Sequence, residues 1–175
     1  MLQSGYMKFT IKVGKIDEVK SEGKVEWTSE KKAGEIKIRY KQSFSSNESG
    51  QKIFVVGLGK VELNINQLQE VAAKLGKRVK EDGVTTISLQ GSTLCQGGTL
   101  IQALATGLLL GEYEFGKYKS HKSDESHETH LEEITICVRN ANEGVKAREK
   151  ISRAEIYAQA VFLARDLVNE PSSLT

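Results

Sequence analysis

A chain of 175 residues fits one ordinary core, since single domains typically organise roughly 100–200 residues. With 38% hydrophobic and 27% charged residues it has enough apolar surface to offset ordering entropy, which excludes a disordered polymer. The 25 basic and 23 acidic side chains are interspersed and leave a net charge of only +2, so no strong field selects nucleic acid or anionic lipid.

Two cysteines, Cys95 and Cys137, are too few for a disulfide framework and point to a reducing, cytoplasmic compartment, with Cys137 expected as a buried thiol. No apolar run is long enough to span a bilayer, and the start lacks the basic and greasy regions of a signal peptide. Residues 1–7 read as a tag remnant or a frayed native start.

In chain order, Phe9, Ile11 and Val13 alternate with Lys8, Thr10 and Lys12, and Ile36, Ile38 and Tyr40 alternate with Lys37, Arg39 and Lys41. This period of two predicts half-exposed strands, and the lysines suit sheet edges because they discourage pairing with another chain. Residues 21–34 between them read as a turn-rich connection anchored by Trp27. After a polar stretch, Ile53, Phe54, Val55 and Val56 form a continuous apolar run ending at Gly57, expected as a strand buried on both faces.

Asn64 with Gln67 three residues on predicts an N-cap and capping box. A helix follows through Leu68, Val71, Ala72, Leu75 and Val79 to a stop at Gly83. Val84, Ile87 and Leu89 predict a strand, residues 91–98 a loop, and residues 99–110 a helix apolar almost all round, hence buried. Ile134, Ile136 and Val138 predict a further strand. Ile151, Ala154, Ala158, Val161 and Val168 mark a closing amphipathic helix that ends at Pro171. Strands alternating with helices imply right-handed crossovers. The architecture expected is therefore α/β, a three-layer αβα sandwich with a mixed, largely parallel sheet.

Candidate sites are few. Gly57, Leu58, Gly59 and Lys60 follow a buried strand, but Glu62 stands where a dinucleotide fingerprint needs glycine, and no Gly-Lys-Ser/Thr closes a P-loop. Gly91, Ser92, Gly97 and Gly98 lead from a strand end into the helix at Thr99, a better place for an anion at backbone amides; tight turns alone also account for the glycines. His121, His127 and His130 share a polar segment with Asp124, Glu125, Glu128, Glu132 and Glu133, the side-chain types that bind zinc. The run His127-Glu128-Thr129-His130 opens like a zincin motif, but Leu131 stands where the second histidine belongs, so a solvated loop is the simpler reading. No nucleophile with a base at recognisable spacing is present. No catalytic, cofactor-binding or metal residue is therefore assigned.

The closing stretch Ala164-Arg165-Asp166-Leu167-Val168-Asn169-Glu170-Pro171 resembles the interdomain segment of leucyl (cytosol) aminopeptidases, where a similar Arg-Asp-Leu-x-Asn-x-Pro pattern precedes the catalytic domain. Upstream and in the same order, Val55-Val56-Gly57-Leu58-Gly59 and Gly111-x-Tyr113-x-Phe115-x-x-Tyr118-Lys119 are similar to further features of that family.

The resemblance implies an amino-terminal α/β domain with a macro-domain-like fold, comprising residues 8–150. Residues 151–175 would form the interdomain helix and the start of a linker to a catalytic domain missing beyond Thr175. It implies a parent that removes amino-terminal residues from peptides with two divalent metal ions, manganese or zinc, bound in that other domain. The family's metal-binding lysine, aspartates and Asn-Thr-Asp-Ala-Glu-Gly-Arg signature have no counterpart in these residues. The role implied here is structural, in a cytoplasmic homo-hexamer whose partners are its own catalytic domain and peptide substrates. Residues 165–171 are expected to be exposed or frayed in the isolated domain. The alternative is a macro-like module binding ADP-ribose or a related nucleotide through the loop beginning at Gly91, which rests on fold analogy. A regulatory nucleic-acid role, as some bacterial members of the family have, is disfavoured by the mild charge.

Overall fold

The computed structural model describes residues 7–29, 35–41, 50–58, 64–92, 94, 99–113 and 129–170. Within these, β1 (Lys8–Val13), a 3-10 turn η1 (Ile16–Glu18), β2 (Gly23–Thr28), β3 (Ile36–Lys41), β4 (Gln51–Gly57), α1 (Ile65–Glu81), β5 (Thr86–Gln90), α2 (Thr99–Gly111), β6 (Glu133–Val138) and α3 (Ala141–Asn169) follow in order. The six strands make one sheet in the order β1-β6-β5-β2-β4-β3. All pairs are parallel except β3 with β4. The molecule is thus an α/β fold on a mixed, largely parallel sheet, and the two lysine-rich strands β1 and β3 are its edges, as their composition predicts.

The steps β4 to β5 and β5 to β6 cross the sheet in the same direction, so right-handed crossovers place α1 and α2 on one face. Helix α2 packs between α1 and α3, and α3 also packs on β1 and β6. The step from β1 to β2 runs the other way and carries η1 to the opposite face, where it rests on β5. The layers are therefore of unequal weight. The helical face holds the core, with Phe54, Ile87, Leu89, Ile134 and Ile136 of the sheet under Leu68, Leu75, Leu104 and Leu108 of the helices. The other face is polar: Lys24, buried on a central strand, is neutralised by Asp17 of η1 at 2.8 Å, and the fully buried Ser88 hydroxyl lies 2.8 Å from that of Ser21.

Local signals explain the helix ends. The Asn64 side chain accepts from the Gln67 amide at 2.8 Å and Gln67 Oε1 accepts from the Asn64 amide, completing the expected capping box. At the other end Gly83 takes φ +67, and the amides of Gly83 and Val84 bond to the carbonyls of Lys80 and Val79, a Schellman closure that needs a left-handed residue.

Three expectations are corrected. The stretch read as a turn-rich connection contains β2, whose pairing with both β4 and β5 makes it a central strand; Trp27 does pack on the core and donates to the Gln90 carbonyl. The closing helix starts at Ala141, ten residues before Ile151, because Asn140 caps it by accepting from the Glu143 amide. Met7 is buried in the core and belongs to the domain, not to a frayed start.

Candidate functional site

The two glycine loops serve the strand ends they follow. Gly57 closes β4, and the Leu58 amide bonds to the Thr28 carbonyl, so this strand end is tied to its neighbour; Gly59, Lys60 and Glu62 lie outside the described residues. At Gly91 a Cβ would stand 2.4 Å from Ile136 Cγ2. The glycine is there to let β5 end tightly against β6. Its amide donates to the Cys137 carbonyl at 2.8 Å and its carbonyl accepts from the Leu94 amide, so neither the Gly91 nor the Leu94 amide is left to cradle an anion. The Ser92 hydroxyl is engaged by Gln90 Nε2 at 2.7 Å. Gly97 and Gly98 fall outside the described residues, and nothing in the described part of the loop favours nucleotide binding.

Of the three histidines, His121 and His127 lie outside the described residues. His130 is exposed, with Nδ1 3.7 Å from Oε2 of Glu112, a side chain that is only 15% exposed. Burial pushes the Glu112 carboxyl above its ordinary range, against the opposing pull of Lys80 and His130. Its other oxygen, Oε1, is buried without a hydrogen-bond partner. Among the described residues no three His, Cys, Asp or Glu side chains stand close enough together to hold a metal ion. Cys137 is fully buried, and burial raises its thiol, the opposite of what a nucleophile needs.

The fold does assemble one cluster, from two of the motifs that carry the family resemblance. Tyr113, just past the end of α2, stacks on Phe162 of α3 with ring centroids 5.3 Å apart, and the Arg165 guanidinium lies 5.1 Å from the same ring. The phenol donates to Asp166 Oδ1 at 2.7 Å and accepts from Asn169 Nδ2. Hydrogen bonding, stacking and cation–π attraction thus clasp the last two turns of α3 to the end of α2. Residues 165–169 are helical and held, so not frayed, but Arg165, Leu167, Val168 and Asn169 are exposed, as expected; Pro171 lies outside the described residues. Sequence reasoning missed the contact because Tyr113 and Asp166 are distant in the chain and no periodicity links them.

Beside this clasp α3 turns apolar residues outward. A groove of about 310 Å³ runs between it, α1 and α2, floored by Gln69, Thr106 and Ala103 and walled by Ile65, Tyr157 and Val161. A surface of this kind suits packing against protein, whereas the described residues display no assembled catalytic constellation.

The fold and this surface define an α/β module on a largely parallel sheet; no helix among the described residues is long and apolar enough to cross a membrane. Residues 14–122, more than half of the chain, match the family model of the cytosol aminopeptidase family, N-terminal domain. The chain is 30% identical over 182 aligned residues to a probable cytosol aminopeptidase of Alkaliphilus metalliredigens, covering 93% of this chain and 36% of that protein. It is 34% identical over 124 residues to one of Aquifex aeolicus, covering 70% of this chain and 23% of that protein. Among solved structures, a tomato leucine aminopeptidase mutant matches with TM-score 0.77 at 17% identity, over 99% of this chain and 40% of that one. The bottromycin maturation enzyme BotP matches with TM-score 0.60 at 21% identity, over 88% and 34%; these two likenesses concern the fold. This chain belongs to the cytosol aminopeptidase family and corresponds to its N-terminal domain. It spans about a third of the length of the Alkaliphilus relative.

Proposed function

We propose that this chain is the non-catalytic amino-terminal domain of a metal-dependent leucyl aminopeptidase and that its contribution is structural, in assembly of the whole enzyme or in access to its active site. The observation that carries the reading is the family match over residues 14–122, joined to relatives that are named aminopeptidases and are much longer than the matched region. The hydrolytic chemistry then belongs to a catalytic domain following this one, with residues 8–150 as the domain body and 151–175 as interdomain helix and linker. Helix α3 crosses that division without a break, and Ile151, Ala154 and Ala158 still serve the core.

In the proposed enzyme the following catalytic domain would hold two divalent ions, manganese or zinc, which would supply Lewis-acid polarisation and an activated water for peptide hydrolysis; no residue of this chain is assigned to hold them. A structure of BotP in complex with Mn makes manganese a reasonable first metal to supply. Homo-hexameric assembly, a cytoplasmic location and peptide substrates complete the reading; the relatives' naming as cytosol enzymes supports the location.

The test compares residues 1–175 with the same polypeptide continued past Thr175, both supplied with manganese or zinc and a leucyl peptide. Hydrolysis is expected from the longer chain alone, with light scattering on that chain reporting six copies. Turnover by residues 1–175, or none by the longer chain, would overturn the proposal.

A further inference from the structure

Glu112 and Tyr113, the two residues with which the chain leaves α2, reach in different directions. Tyr113 goes to α3, where its ring stacks on Phe162 and its phenol donates to Asp166. Glu112 goes to the segment entering β6, where His130 Nδ1 stands 3.7 Å from Oε2 and the Leu131 amide is turned to the same carboxyl. Leu131 itself is buried in the core, and the next amide, that of Glu132, bonds to the Thr85 carbonyl at 2.8 Å, so this wall of the pocket is anchored. Helices α2 and α3 and the entry to β6 therefore meet at two consecutive residues. Lys80 faces the carboxyl from α1; on α3, Arg165 and Asp166 are turned to the Tyr113 ring and phenol.

The pocket is built unevenly for a charge. Oε1 of Glu112 is sealed from solvent with no hydrogen-bond partner, whereas the His130 side chain, 58% exposed, exchanges protons freely with water. A carboxylate with one oxygen in that position is penalised by lost hydration, and burial accordingly holds this carboxyl above its ordinary range. Proton uptake relieves the penalty in two ways: on the carboxyl itself, or on the imidazole beside it, which then stands as a cation against the carboxylate. Imidazoles ordinarily change charge between about pH 5 and 8. Both uptakes have the same sign. The closed joint, which alone holds the carboxylate out of water, binds protons more tightly than the open one, so it gains stability as pH falls from neutral and loses it as pH rises. We infer that Glu112 and His130, with Lys80 beside them, form a proton-operated latch that fastens the end of α2 to the entry of β6 at mildly acidic pH and, through Tyr113, steadies the last turns of α3. His130 alone would be an ordinary surface imidazole; the sealed oxygen next to it is what makes its proton count. The latch is a property of this chain and stands apart from the proposed function above.

The 175-residue chain carries three histidines, so deuterium exchange at each imidazole C2 position, read by peptide mass mapping across about pH 5 to 8, gives the titration midpoint of His130 by itself. The same mapping reads amide protection of residues 166–169, corrected for the intrinsic pH dependence of exchange. Glu112→Gln is expected to lower the His130 midpoint by about half a unit, through loss of a neighbouring opposite charge. A half-unit coupling is about threefold in the closing equilibrium. Protection of residues 166–169 should therefore rise by about threefold in the parent between about pH 8 and about pH 5.5, and the rise should vanish in Glu112→Gln. His130→Asn, at an exposed position, should keep the fold and move what remains of the rise to lower pH, where the Glu112 carboxyl takes up its own proton. An unchanged His130 midpoint in Glu112→Gln overturns the inference. So does a shifted midpoint with protection of residues 166–169 that stays flat across the range. Should Glu112→Gln fail to fold, His130→Asn decides: a rise as large as the parent's and in the same pH range overturns the latch.

Discussion

Glu112 is the residue whose environment most clearly opposes its charge. Its carboxyl is raised first by burial, and Lys80, His130 and the Leu131 backbone only partly oppose this. A carboxylate with a folded pKa above its unfolded value binds more protons folded than unfolded, so stability falls as pH rises from the ordinary 4.5 through the raised value. The penalty is fully developed only above that raised value. Glu112→Gln, which keeps the shape and removes the charge, is expected to raise the urea midpoint at pH 7. The two curves should merge at and below the ordinary carboxylate pKa. A variant less stable than the parent at neutral pH would show that His130 and Lys80 outweigh desolvation. Neither His130 nor Glu112 could be paired from sequence, because the polar stretch between them carries no periodic signal that folds back on α2.

Element by element, helix ends and strand alternation were legible wherever a local cause sets them. The capping box at Asn64, the Gly83 stop and the edge placement of β1 and β3 all follow from groups within a few residues of each other. By the same logic Asn140 with Glu143 announces the start of α3. The signal is present in the sequence, but Glu143 Oε2 accepts from the Arg139 amide instead of the Asn140 amide, so the box is incomplete. Strand β2 was not legible. Lys24 and Glu26 alternate with Val25 and Trp27 in a pattern that suits an exposed strand or a loop, and only Asp17 of η1 makes a lysine tolerable on a central strand.

The contact of α1 with α2 is likewise a tertiary matter. A Cβ at Gly107 would stand 2.3 Å from the Gln69 carbonyl oxygen and 2.7 Å from Ala72 Cβ. Backbone cannot yield as a side-chain tip does, so the gain in helix propensity of about 1 kcal/mol is exceeded by overpacking of roughly 1–3 kcal/mol. Gly107→Ala is therefore expected to lower stability in denaturant titration, whereas the same change at an unconfined helical glycine raises it. Asn64→Ala should cost roughly 0.5–2 kcal/mol in the same assay through loss of the cap.

For the whole molecule, burial along α3 stops at Ala158. A chain ended after residue 158 retains every core residue of α3 and loses the Tyr113 clasp and the outward apolar residues that follow. It should unfold cooperatively with nearly the same denaturant slope, since the slope follows the surface exposed on unfolding, and with better solubility because Leu163 and Leu167 are gone. A chain ended after residue 140 removes the cover of β1, β6 and α2 and should fail to give a cooperative transition. Equal behaviour of the two truncations would contradict the division of α3 into a core half and an outward, exposed half.

Fold class, edge strands, the buried α2 and the resemblance to the aminopeptidase family are legible in the residues alone, because each rests on periodicity, capping or a contiguous motif read within a short window. The packed fold was needed to show that β2 is central, that Gly91 serves β-strand packing, that Tyr113 closes on Asp166, and that α3 turns apolar residues outward. These depend on which distant residues the crossovers bring together, and on which apolar residues the core leaves outside. Burial is a property of the packed chain, and a pattern of residue types shows only which side chains could be buried.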